Sequence, residues 1–272
     1  MDQTPTGVAS PLSRAEYKWR RVLLDRVNQY WIDGVLAQLL HTQTPIELCL
    51  EERADYVPNP LREIEEVSSA SRKVLSADAS VTDIFEDIGA GRTLLILGDP
   101  GAGKTVTLLK LAKSLLARTE NDLSQSLPVV LNLSAWAKKR QPVADWLGQE
   151  LYELYEVPKP LGKRWVERQQ LILLLDGLDK VEARYRDECV NALNQFIAAH
   201  HSTEVVVCSR IRDYENLCQP LQLHSAICIR PLTLQQIDRF LESDGKALAT
   251  LKRDIKQNAD LQELISSPAM LS

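Results

Sequence analysis

Eight consecutive residues, Gly98-Asp99-Pro100-Gly101-Ala102-Gly103-Lys104-Thr105, constrain this chain more than any other feature. They spell G-x-x-x-x-G-K-[ST], a phosphate-binding loop, and the flanking residues give the motif its mechanism. Thr93-Leu-Leu-Ile-Leu97 comes just before and reads as a buried strand. Thr107 to Arg118 follows as an amphipathic helix, with Leu108, Leu111 and Leu115 on one stripe. Between strand and helix, the glycines turn backbone N–H groups inward around a phosphate, and the helix N-terminus adds partial positive charge. Lys104 then reaches the β- and γ-phosphates, and the Thr105 hydroxyl ligates Mg²⁺. The competing reading is a Gly-rich turn with an incidental lysine.

Four further apolar runs read as strands: Pro128 to Leu133, Leu171 to Leu175, Glu204 to Cys208 and Ala226 to Ile229. Helical patterns lie between them. Pro142 opens one that carries Trp146, Leu147, Leu151 and Leu154 and is stopped by Pro158 and Pro160; another runs from Glu182 to Ala199. Continuous apolar strands separated by helices imply an α/β fold of three layers, a five-stranded parallel sheet covered on both faces. From Thr233 onward only helical patterns remain, a C-terminal helical lid. Upstream, residues 1–12 read as a disordered lead, and a helix from Leu12 or Ser13 to about Leu40 aligns Leu24, Val27, Trp31 and Val35 on one face. Leu48 to Pro60 reads as a charged linker and residues 61–80 as loop, followed by a short helix from Val81 to Ile88. The expected division is residues 1–45, a nucleotide-binding domain at 46–231, and the lid at 232–272.

A net charge of -5 argues against a chain that binds nucleic acid along its whole length. The local cluster Arg14, Lys18, Arg20, Arg21 and Arg26 reads as a solvated helix face. The five cysteines form no C-x-x-C pair, and Cys208 and Cys228 lie in apolar runs, as buried free thiols in a reducing compartment would. The N-terminus lacks a basic region followed by an apolar stretch, and no run of about 18 uncharged apolar residues occurs. A cytoplasmic location without a membrane partner is expected.

Two more pieces belong with the phosphate loop. Leu171-Ile-Leu-Leu-Leu-Asp176 is an apolar strand ending in a carboxylate, the Walker B pattern that holds the Mg²⁺ shell. Asp179 is either a second carboxylate at that edge or an N-cap for the segment that follows. Val205-Val-Val-Cys-Ser-Arg210 carries a guanidinium to the carboxyl end of the fourth strand, where it either senses a terminal phosphate or forms a structural ion pair. Arg212 is expected to pair with Asp213 or solvent.

Together GDPGAGKT, LLLDGLDK and VVVCSR, with Ala135-Trp136 and Pro231-Leu-Thr233, resemble a NACHT domain of bacterial type. That family belongs to the STAND branch of the AAA+-like P-loop NTPases. The resemblance covers about residues 45 to 272, and the helix with Trp31 is similar to a stretch that often precedes such domains. It implies an ATP- or GTP-driven signalling switch, diphosphate-bound and closed at rest, triphosphate-bound and self-associating once a sensor domain detects its ligand. By the same resemblance Lys104 and Thr105 are the Walker A pair, Asp176 is the Walker B magnesium residue and Arg210 is the sensor arginine. Ser267-Pro268-Ala269-Met270 resembles the lid motif whose proline packs on adenine; a simple helix start is the other reading.

The sequence departs from the family at position 180, where D-G-[apolar]-D-E becomes Asp176-Gly177-Leu178-Asp179-Lys180. An ammonium cannot act as the water-activating base, though it can hold a phosphate by charge. Slow turnover is the expectation, and an interaction module without turnover is the alternative. A DNA-associated ATPase is disfavoured by the acidic balance. Family members also continue into a winged-helix domain and a sensor array, whereas this sequence stops at Ser272, as a fragment or a truncated relative would.

Overall fold

The computed structural model describes residues 12–41, 48–58, 72–76, 79–89, 91–243 and 267–270. Ser13 caps the first helix by accepting from the Glu16 N–H at 3.2 Å. That helix, α1 (Arg14–Val27), continues as a π-helical stretch, Asn28–Leu36, and closes in α2 (Ala37–His41). The wider π turn moves the apolar stripe to Trp31, Ile32 and Leu36, all buried, while Val35 is only partly covered. Of the basic cluster on α1, Arg14, Lys18 and Arg21 are exposed as a solvated face would have them, and Arg20 is the exception. Arg20 is fully buried, and its guanidinium donates to the carbonyls of Leu123 at 3.0 Å and Gln125 at 2.9 Å. Burial lowers its pKa, opposed by Glu16.

The segment expected as a linker contains β1 (Leu50–Arg53) and a 3₁₀ turn, Ala54–Tyr56. Then come β2 (Arg72–Val74), α3 (Val81–Asp87), β3 (Thr93–Gly98) and α4 (Lys104–Asn121). The middle of the chain gives β4 (Leu127–Asn132), α5 (Leu133–Trp136), α6 (Val143–Glu153) and α7 (Lys159–Glu167). Helix α6 already ends at Glu153, ahead of Pro158 and Pro160, which were expected to stop it; they start α7 instead, because a proline in the first turn has no intrahelical N–H to lose. Next are β5 (Leu171–Asp176), a 3₁₀ turn Leu178–Lys180, α8 (Ala183–Ala199), β6 (Glu204–Arg210), α9 (Ile211–Glu215), β7 (Ser225–Ile229) and α10 (Leu234–Ser243). A last 3₁₀ turn, Pro268–Met270, ends the described residues; the rest of the expected lid and the expected lead lie outside them.

The sheet has seven strands in the order β2-β1-β7-β3-β6-β5-β4. The five expected strands form its parallel part, and β1 adds antiparallel to β7 and β2 to β1. Every residue of β3 and β5 is buried, as strands covered on both faces require. The path from β3 to β4 runs one way across the sheet and the path from β5 to β6 runs back. Right-handed crossovers therefore put α4 and α8 on opposite faces. Trp136, Trp146 and Trp165 are fully buried within this core. No helix among the described residues is long and apolar enough to cross a membrane.

Candidate functional site

Strand order builds the site. Because β6 lies between β3 and β5, its C-terminal end opens between the phosphate loop and Asp176. Parallel register pairs Gly98 with Arg210 on one side and with Ile229 on the other, and pairs Asn132 with Asp176. Asp176 and Arg210 thus emerge at the same sheet edge as the loop.

The loop turns at Gly101 (φ 76°) and Gly103 (φ 95°), left-handed conformations that favour glycine, and Gly103 caps α4. Lys104 folds back across it, its Nζ donating to the carbonyls of Gly98 and Asp99, each at 2.9 Å. Burial lowers the Lys104 pKa from the ordinary lysine value, and Asp179 opposes that shift most strongly. One residue on, Thr105 Oγ1 donates to the Asp176 carboxylate, 3.1 Å from Oδ1 and 3.2 Å from Oδ2. Beneath the loop, the Cys208 thiol lies 3.9 Å from the Lys104 carbonyl, and burial pushes its pKa well up, so it is a packed and unreactive group.

The carboxylates do not stand free. Lys180 Nζ donates to Asp176 Oδ2 at 2.6 Å, and Arg210 Nε forms an ion pair with Asp179 Oδ2 at 2.9 Å. Both carboxylate side chains are nearly covered, 6% and 5% exposed, while both cations are about half exposed. Asp179 lies inside the 3₁₀ turn and caps nothing; Glu182 takes the N-cap position of α8 without a side-chain bond.

Arg186 was not visible in any sequence motif. From α8 its guanidinium donates to Asp213 Oδ1 at 2.9 Å, to the Asp179 carbonyl at 3.0 Å and to the Val181 carbonyl at 3.2 Å. It ties the turn after β5 to the helix after β6; because it holds the Asp213 carboxylate, Arg212, expected to pair with Asp213 or solvent, is left exposed to solvent.

The Pro268 segment rests on the loop. The Ala269 N–H donates to the Gly101 carbonyl and Ser267 Oγ to the Pro100 carbonyl, both at 3.3 Å. Pro268 itself is buried. A Cβ on Gly101 would come within 2.9 Å of Ala269 Cβ, so this glycine serves close approach as well as backbone conformation.

The oxygen donors fit a small hard cation. Mg²⁺ is commonly held by one or two protein oxygens and completed by substrate phosphates and water, and Thr105 with Asp176 offers such a set. Among the described residues no group of three or more His, Cys, Asp or Glu side chains forms a protein-only metal cage.

Residues 92–249 match the family model of the NACHT domain. No curated protein matches the chain. Similar solved structures include the Aeropyrum pernix ORC1 protein in complex with DNA, at TM-score 0.42 and 15% identity over 64% of this chain and 53% of that one. Caenorhabditis elegans PCH-2 gives TM-score 0.36 and 19% identity over 61% and 42%, and AMPPCP-bound DnaA from Aquifex aeolicus gives 0.34 and 12% over 67% and 54%. The chain thus spans about half the length of these proteins or less.

Proposed function

The chain belongs to the NACHT family of P-loop NTPases and is a nucleotide-binding module; from that premise we propose that it is a signalling switch that binds ATP with Mg²⁺ and hydrolyses it slowly. The observation that carries this reading is the convergence of Lys104, Thr105, Asp176 and Arg210 at one sheet edge. GTP in place of ATP, and self-association in the triphosphate state, belong to the same proposal.

In this reading Gly98 to Thr105 wraps the phosphate tail with backbone N–H groups at the N-terminus of α4. Lys104 gives its ammonium to the β- and γ-phosphates, exchanging carbonyl partners for charged ones. Thr105 and Asp176 would hold Mg²⁺, which would supply positive charge against the phosphate tail. Arg210 faces the terminal phosphate, with its Nε anchored on Asp179. Pro268 lies above the loop, where a base would pack.

Turnover is slow because position 180 has no carboxylate to take a proton from water, and Asp179 is held by Arg210. Lys180 also favours the second reading, a nucleotide-binding interaction module without useful turnover. A DNA-associated ATPase is disfavoured by the net charge of -5. Isothermal titration with ATP, ADP and GTP tests binding and base preference, and Lys104→Ala should weaken binding at least about tenfold, about 1.4 kcal/mol. Unchanged affinity in that variant would place the nucleotide elsewhere. Steady-state turnover then separates the switch from the inert module.

A further inference from the structure

The cation on Asp176 is part of the chain. Asp176 ends β5 with its carboxylate nearly covered, and a covered carboxylate needs donors or a counter-charge. Two groups supply them. Thr105 Oγ1 donates from the phosphate loop, and the Lys180 ammonium sits 2.6 Å from Oδ2.

The backbone between the partners is shaped for this contact. Gly177 has φ 80°, and the Lys180 N–H donates to the Gly177 carbonyl at 3.0 Å, closing a tight turn that brings the lysine back towards its own strand. The lysine stem then runs across the bare face of Gly177. A Cβ there would lie 2.6 Å from Lys180 Cδ and 3.0 Å from Cγ. Only a residue without a side chain leaves this route open.

The charge balance follows. The loop and strand ends carry the carboxylates of Asp99, Asp176 and Asp179 and the cations of Lys104, Lys180 and Arg210, so the two signs cancel. Glutamate at 180 would leave an excess of two carboxylates facing a polyanionic ligand, and a divalent ion would have to offset it.

We propose that Lys180 is a built-in counter-cation for Asp176, so that this chain binds nucleoside triphosphate with little dependence on Mg²⁺. The proposal rests on the nucleotide site described above and specifies which of its parts is dispensable for binding. Titration of ATP into the wild-type chain, once with excess Mg²⁺ and once with EDTA, reads it directly. The two dissociation constants should agree within about fivefold. Lys180→Glu should bind with Mg²⁺ and lose at least about tenfold in affinity on chelation. Lys180→Gln removes the charge without adding a carboxylate and should fall between them, with melting temperature reporting whether each variant is folded. Wild-type binding that drops tenfold or more in EDTA, on the order of 1.4 kcal/mol, overturns the counter-cation role and leaves the nucleotide reading standing. No binding under either condition overturns the nucleotide reading itself, and this proposal with it.

Discussion

Arg210 Nε and Asp179 Oδ2 lie 2.9 Å apart, which joins two residues that the sequence offers as independent contributors to the chemistry. The pair locks the end of β6 to the turn after β5. Arg210 is therefore a group held from a fixed base and not a free side chain.

Replacing Arg210 tests both halves of that arrangement. Arg210→Ala should reduce the preference for ATP over ADP while changing ADP affinity by less than about threefold. It should also lower the melting temperature by several degrees, because Asp179 loses its partner at a cost of about 1–2 kcal/mol. Thermal shift with each nucleotide checks this. A lower melting temperature with an unchanged ATP-to-ADP ratio would make the arginine purely structural.

Turnover should respond to position 180. At saturating Mg²⁺, Lys180→Glu restores a carboxylate where the family has one, and steady-state hydrolysis should rise at least about tenfold, part of the 10²–10⁴ a general base supplies. A faster wild type than variant would mean that residue 180 does not face the attacking water.

The pH dependence of binding follows from Lys104. Burial lowers its pKa in the free protein, and phosphate oxygens favour its charged form, so the bound pKa is the higher of the two. Affinity is then full below the free-protein pKa and falls as pH rises through it. Within that alkaline window, binding takes up a proton. For the unliganded chain the sign is opposite: the unfolded state holds the proton to higher pH, so this group adds stability as pH rises through its lowered pKa. Titration calorimetry in buffers of different ionisation enthalpy measures the proton uptake, and its absence on the alkaline side would contradict the assignment of Lys104.

Arg186 is expected to matter for stability. Its guanidinium joins one carboxylate and two backbone carbonyls from α8. Arg186→Ala should cost about 2–4 kcal/mol in chemical denaturation. Arg186→Lys should recover little of it, because one ammonium cannot reproduce a planar fork. A neutral result would show that water replaces those bonds readily.

The five parallel strands were legible because each is buried on both faces and reads as an uninterrupted apolar run, as Leu171 to Leu175 does. Strand β1 was not, since Leu50-Glu-Glu-Arg53 carries one aliphatic residue and its place comes from pairing with β7. Thr105 and Asp176 were legible because spacing fixes them relative to the loop and the strand end. The Lys180–Asp176 contact was not, because it depends on the positive φ of Gly177, which a sequence does not display. Arg20 was misread for a related reason. Charge on a helix suggests solvent, but the carbonyls of Leu123 and Gln125 are distant in the chain.

Trp31 reaches through the fold in a way that sets its limits. Its indole N–H donates to the Tyr155 hydroxyl at 2.8 Å, and that hydroxyl donates to the Val130 carbonyl in β4 at 2.6 Å. With Arg20 bonded to the turn that precedes β4, the N-terminal helix is fastened to the outermost parallel strand at two depths. Neither can open without breaking the other's bonds. Amide hydrogens around Trp31 and along β4 should therefore exchange with solvent at a shared rate under native conditions, as members of one cooperative unit. That unit reaches back to α1, well upstream of residue 92 where the family match begins. A sequence family marks the stretch that recurs among relatives, and here the stretch that must unfold together is longer.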